Sequence, residues 1–126
     1  MKHLINWIEI PVTDMDRAKN FYSDILGGIT FMDYPMDDPS DAYAIFPTTD
    51  HFNAGALVKS AFNMPSSQGV TIYLDGGKNM DGILEKAAQL GGTVIMPKTL
   101  LSEESGHIAL FIDSEGNKIG IQHKQS

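Results

Sequence analysis

Five side chains in this sequence could form a recognition or catalytic site. Trp7 and Glu9 sit two residues apart in an alternating stretch, so they share one face of a strand. Thr71 and Tyr73 repeat that spacing later in the chain, and Gln122 lies two residues past Gly120. Trp7, the only tryptophan, offers a large ring that either anchors a core or floors a pocket for a planar ligand. Glu9 on a half-buried strand needs a partner; it suits either a structural ion pair or a general base. Tyr73 and Thr71 add hydroxyls, and Gln122 adds an amide. The four histidines, His3, His51, His107 and His123, show none of the i, i+2 or i, i+4 spacings of local metal sites and read as surface or edge residues. No phosphate loop, dinucleotide fingerprint or nucleophile elbow is present.

These residues need strands to hold them. Residues 3–12 alternate, with Ile5, Trp7 and Glu9 on one face and Ile8, Ile10 and Val12 on the other. Thr13 or Asp14 caps a helix whose apolar stripe is Ala18, Phe21, Tyr22, Ile25 and Leu26; Gly27 and Gly28 end it, one of them left-handed. Strands follow at 29–33, 42–46 and 54–59, separated by a loop at 34–41 and a turn at 47–52. The connection 60–68 is polar and contains Pro65. Beyond it the order returns: strand 69–75, helix 79–90 with Met80, Ile83, Leu84, Ala87 and Ala88 inward, strand 93–96, loop 97–105, then strands 107–112 and 118–123 around the turn 113–117. A constant offset of 64 residues pairs Ile8 with Ile72, Ile10 with Leu74, Leu26-Gly27-Gly28 with Leu90-Gly91-Gly92, Met32 with Met96 and Ala56 with Gly120. The sequence therefore predicts an α+β domain over 1–126, built of two β-α-β-β-β modules at 1–60 and 69–126 joined by 61–68.

Composition narrows the partners. Hydrophobic residues at 42% describe a globular chain, and the absence of cysteine excludes disulfides and thiolate metal sites. A net charge of −7 with scattered Lys and Arg argues against nucleic acid and anionic lipid as partners. The first residues do not read as a secretory leader and no apolar run reaches the ~18 residues of a membrane span, so the expected location is cytoplasmic.

The stretches IPVTDMDRAKNFYSDILGG and HIALFIDSEGNKIGI, in that order within the doubled pattern, resemble the vicinal oxygen chelate superfamily of glyoxalase I, bleomycin-resistance proteins and extradiol dioxygenases. The resemblance is strongest to a glyoxalase-like branch. It implies a cup-shaped mixed sheet, a homodimer, and in metal-dependent members a divalent ion held by His and Glu from the first and fourth strands of each half. On this sequence those positions fall on Trp7, on Thr71 (or Gly69, two residues earlier on the same face), on Ala56 and on Gly120, which lack the usual ligand side chains. The expectation is a protein without a cofactor or metal that binds an apolar or aromatic small molecule in the cup, using Trp7, Glu9, Thr71, Tyr73 and Gln122. The alternatives are an enzyme (a lyase, isomerase or dioxygenase type) with Glu9 as base or an atypical metal site, and a module whose cup is filled.

Overall fold

The computed structural model describes residues 4–48 and 54–124. The chain runs β1 (Ile8–Pro11), α1 (Met15–Ile25), β2 (Met32–Asp33), β3 (Ala42–Ile45), β4 (Gly55–Lys59), β5 (Ile72–Asp75), α2 (Met80–Gln89), β6 (Thr93–Ser102), β7 (Gly106–Ile112) and β8 (Lys118–His123). The strands form two four-stranded mixed sheets, ordered β1-β4-β3-β2 and β5-β8-β7-β6. Each first strand runs parallel to the fourth, Ile8 beside Gly55 and Ile72 beside Ile119, while the remaining pairs are antiparallel. A parallel pair cannot be closed by a tight turn, and the helix of each half makes part of the crossover. The predicted α+β class and doubled strand order are what the chain adopts.

Helix α1 starts where Asp14 accepts a hydrogen bond from the Arg17 backbone N–H at 3.0 Å. Its buried stripe is Ala18, Phe21, Tyr22 and Ile25; α2 buries Met80, Ile83, Leu84 and Ala87 at the same spacing. These stripes, the inner residues Ile10 and Leu57 of the first sheet and Phe111, Ile119 and Ile121 of the second belong to one continuous core. Phe21 meets Tyr22 edge-on at 5.2 Å and Phe111 at 5.9 Å, so aromatic packing crosses from one half to the other.

The junction between the halves is polar as well. The turn between β7 and β8 is organised by Asp113, whose Oδ1 accepts from the N–H groups of Glu115 (2.8 Å) and Asn117 (2.9 Å). Gly116 supplies the left-handed residue (φ 101) that this turn requires. The turn docks on the first half. Asn117 Nδ2 donates to the Pro11 carbonyl at 2.7 Å, and the buried Tyr22 hydroxyl donates to Asp113 Oδ2 at 2.5 Å. Burial and the Asp113 carboxylate push the Tyr22 phenol well up, which keeps it a donor.

Several expectations need correction: β2 covers only Met32–Asp33 of the expected strand 29–33, and β5 begins at Ile72, which leaves Gly69 and Thr71 outside the expected strand 69–75. The first strand is shorter than 3–12, because its ladder with β4 begins only at Ile8; Leu4 and Ile5 are exposed. Residues 97–105 are not all loop. β6 continues through Pro97 to Ser102 because it is an edge strand, where a missing N–H costs little, and its register shifts between Met96 and Thr99 absorb the proline. Both Gly27 and Gly28, not one, are left-handed (φ 85 each). Ala88 is exposed, one position round the helix from the buried Ala87.

Candidate functional site

Strand alternation sets which side chains stand on the helix-free face of each sheet. In the first sheet, register aligns Glu9, Ala56, Ile45 and Met32 across all four strands, with Pro11, Val58 and Tyr43 in the next row. In the second sheet, the corresponding rows are Tyr73, Gly120, Leu110 and Met96, then Asp75, Gln122, Ile108 and Thr99. Glu9 and Tyr73 therefore occupy matching places in the two halves.

Trp7, just before β1, leans over this face and donates its indole N–H to the Tyr43 hydroxyl at 2.7 Å. Tyr43 in turn donates to Glu9 Oε2 at 2.9 Å. With its oxygen accepting from Trp7, the phenol has one proton, and it is directed at the carboxylate. Partial burial pushes the Tyr43 phenol up; the Trp7 N–H pulls the other way and the Glu9 carboxylate reinforces the rise. Tyr34 stands edge-on to Tyr43 with ring centres 6.1 Å apart. Trp7, Tyr34, Met36, Tyr43 and Ile45 line a shallow apolar recess of about 400 Å³ that is wide open to solvent. Trp7 is 37% exposed, so it is only partly covered by its neighbours.

The other candidates lie apart from this recess. Tyr73 is 44% exposed and lines a separate depression of about 390 Å³ with Asp75, Gln122 and His123. The Gln122 amide donates to the Ser105 carbonyl at 2.9 Å, tethering the β6–β7 turn. Glu9 also borders a third cavity, about 230 Å³, at the seam between β1 and the β5–β8 edge, with Gly69, Ile72 and Lys118 on its walls. Thr71 lines none of these three. The single cup expected to gather Trp7, Glu9, Thr71, Tyr73 and Gln122 is thus three depressions within this chain. Tyr43, Tyr34 and Met36, which wall the Trp7 recess, were not among the predicted residues. Tyr43 had a signal: it lies two residues before Ile45, on the face that β4 sets with Ala56.

A sequence model of the Glyoxalase/Bleomycin resistance protein/Dioxygenase superfamily matches residues 4–121. The chain belongs to this superfamily. A curated relative, "Putative glyoxylase CFP32" of Mycobacterium bovis, is 25% identical over 121 residues, which are 92% of this chain and 44% of that protein. This chain thus spans a little under half the length of the curated relatives it matches. Among solved structures, a glyoxalase I mutant from Zea mays has 19% identity and a TM-score of 0.66 over 93% of this chain and 44% of the maize chain. TnmS3, an antibiotic binding protein from Streptomyces sp. CB03234, has 20% identity and a TM-score of 0.60 over 99% and 98% of the two chains. These likenesses establish the fold.

The superfamily's metal does not fit the residues found here. Ala56 is fully buried and carries no donor. At Gly120 an added Cβ would sit 2.4 Å from Tyr73 Cδ1, so the tyrosine ring occupies the space a ligand side chain would need. Among the described residues no three His, Asp or Glu side chains converge to hold an ion. His107 and His123 lie directly opposite each other across β7 and β8 of the second sheet, whereas Trp7 precedes β1 of the first, and His3 and His51 fall outside the described residues. No helix among the described residues is long and apolar enough to cross a membrane.

Proposed function

We propose that this superfamily member binds an apolar or aromatic small molecule without a metal, for sequestration or sensing, in the recess of Trp7, Tyr34, Met36, Tyr43 and Ile45. The observation that carries this is the hydrogen-bonded chain Trp7–Tyr43–Glu9, which fixes two aromatic rings at an apolar space and holds one carboxylate on the Tyr43 hydroxyl behind that wall. Rigid aromatic walls with one polar anchor suit a planar ligand. The antibiotic binding function in the name of TnmS3, a protein of similar fold, gives a precedent for binding as the whole activity. Thr71, Tyr73 and Gln122 then contribute through a homodimer, in which the helix-free face of one copy's second sheet completes the recess of the other.

The test uses quinoline, a neutral planar probe, and the single indole N–H resonance of the protein. Saturable movement of that resonance at one probe per chain, unchanged after dialysis against a chelator and weakened by Tyr43→Ala, is expected. A resonance that does not move, or an affinity indifferent to Tyr43→Ala, overturns the reading. Sedimentation at micromolar concentration tests the dimer; a monomer removes the role given to Thr71, Tyr73 and Gln122.

A second reading has Glu9 as the base of a lyase or isomerase. Its support is the exposed position of Glu9, with the Tyr43 phenol hydrogen-bonded to one oxygen only. Recovery of a bound ligand chemically unchanged after long incubation argues for binding; conversion that Glu9→Gln abolishes argues for catalysis.

A further inference from the structure

We propose that the Trp7 recess selects cationic over anionic aromatic compounds, with the Glu9 carboxylate as the group that reads the charge. This rests on the small-molecule reading above and adds a ligand class to it. None of the five residues lining the recess is basic. Three of them, Trp7, Tyr34 and Tyr43, are aromatic, and aromatic faces attract cations through the ring quadrupole.

Glu9, which is not one of those five but is hydrogen-bonded to the Tyr43 wall, supplies the full charge. Its Oε2 accepts the Tyr43 proton at 2.9 Å, but an ionised carboxylate has about four acceptor positions, so one phenol leaves most of its capacity unused. No Lys or Arg among the described residues pairs with it: the ion pairs there join Arg17 to Glu115, Lys19 to Asp33, Lys86 to Asp24 and Lys98 to Asp81. Lys118 lines the seam cavity that Glu9 also borders, without closing an ion pair to it. Glu9 is thus a carboxylate held in place by Tyr43, exposed, and without a Lys or Arg partner among the described residues. A ligand whose ring stacks in the recess and whose positive charge points along the Tyr43–Glu9 direction supplies that missing partner. An anion in the same pose meets the negative charge of Glu9 behind the Tyr43 wall and finds no basic side chain among the lining residues.

Three probes on one two-ring frame separate charge from shape: 1-methylquinolinium, quinoline and naphthalene-2-sulfonate, titrated calorimetrically with the indole resonance of Trp7 as the positional readout. The cation should bind about ten-fold more tightly than the anion, the size of one partly screened charge contact with a cation–π contribution. Glu9→Gln keeps a hydrogen-bond acceptor for Tyr43 and should bring the two affinities within about two-fold, roughly the loss of that charge contact. Because the chain carries −7 overall, Glu85→Gln on the exposed side of α2 removes the same unit of charge elsewhere; it should leave the ratio as in the wild type. Binding of quinoline at Trp7 with no cation preference, or a preference that Glu85→Gln removes as well as Glu9→Gln does, refutes charge selection while leaving the recess standing. Failure of all three probes to move the Trp7 resonance refutes both.

Discussion

Glu115 carries the most quantitative prediction. Its side chain is fully covered, and Oε1 accepts from the backbone N–H groups of Thr13 and Asp14 (both 2.9 Å) and from the Thr13 hydroxyl at 3.1 Å. Oε2 accepts from Arg17 Nε at 2.7 Å and from the Ser114 hydroxyl at 3.0 Å. One carboxylate from the last hairpin therefore satisfies backbone donors just before and at the start of α1, where the helix dipole also favours negative charge. Burial alone pushes this carboxyl up, but the Arg17 guanidinium, the two backbone N–H groups and Ser114 outweigh it and hold Glu115 at about 2 against an ordinary 4.5. A depressed carboxylate stabilises the fold above its unfolded value, and that stabilisation is lost as pH falls from 4.5 toward 2. The shift caps the contribution at roughly 3 kcal/mol; solvent screening around Arg17, which is 51% exposed, reduces it to about 1–2 kcal/mol. Glu115→Gln should lower the urea-unfolding free energy at pH 7 by at least that much, and the gap between the two proteins should narrow by about 1–2 kcal/mol at pH 2.5. A gap of the same size at both pH values would refute the assignment, because a purely steric effect of the amide does not titrate.

Three further outcomes follow from single contacts. Tyr22→Phe deletes the 2.5 Å bond to the buried Asp113 carboxylate and should cost about 1.5–3 kcal/mol; Asp113→Asn on top of it should cost less than on the wild type, measured as a double-mutant cycle. Gly120→Ala places a methyl against the Tyr73 ring, which must swing outward; chemical shifts of the Tyr73 ring should change while the Trp7 indole resonance stays put. Tyr43→Phe removes the acceptor of the Trp7 N–H, so that resonance should shift toward its solvent-exposed position and quinoline affinity should fall about three- to ten-fold, in line with a hydrogen bond worth about 1 kcal/mol.

The doubled architecture was legible because its signals are local. Helix stripes at spacings of three and four, glycine pairs at the helix ends and a strong turn at 113–117 each need only neighbouring residues to be recognised. What escaped depends on long-range geometry. Nothing near Pro97 reveals that β6 would be an edge strand able to carry a proline. Nothing near Glu115 reveals that Arg17, 98 residues away, would meet it. The site was legible in part for the same reason. Trp7 and Glu9 were found from strand parity, and the structure joins them, but through a tyrosine from β3 whose arrival depends on the β3–β4 register. Tyr73 and Gln122 were found by the same parity in the second half, where the sheet carries them to a different depression.

The matched rows of the two sheets explain why the superfamily's metal chemistry would not return by a single change. Glu9 stands beside Ala56 and Tyr73 beside Gly120, so each half has a small residue on its fourth strand where a donor would be needed. At Gly120 the smallness is structural, since the Tyr73 ring lies across it. Trp7→His introduces one imidazole, but the fourth-strand position of its own half is an alanine and that of the other half is a glycine covered by a ring. Zinc needs about three protein donors for a catalytic site and four for a structural one. Trp7→His alone should therefore bind Zn²⁺ no more tightly than the wild type by calorimetry, and any ion taken up by both should be lost on His107→Ala together with His123→Ala, the one pair of imidazoles that the described strands set opposite each other. A new one-to-one site of at least ten-fold higher affinity in Trp7→His would show that the donor set survives in this face and would overturn the metal-free account of the recess.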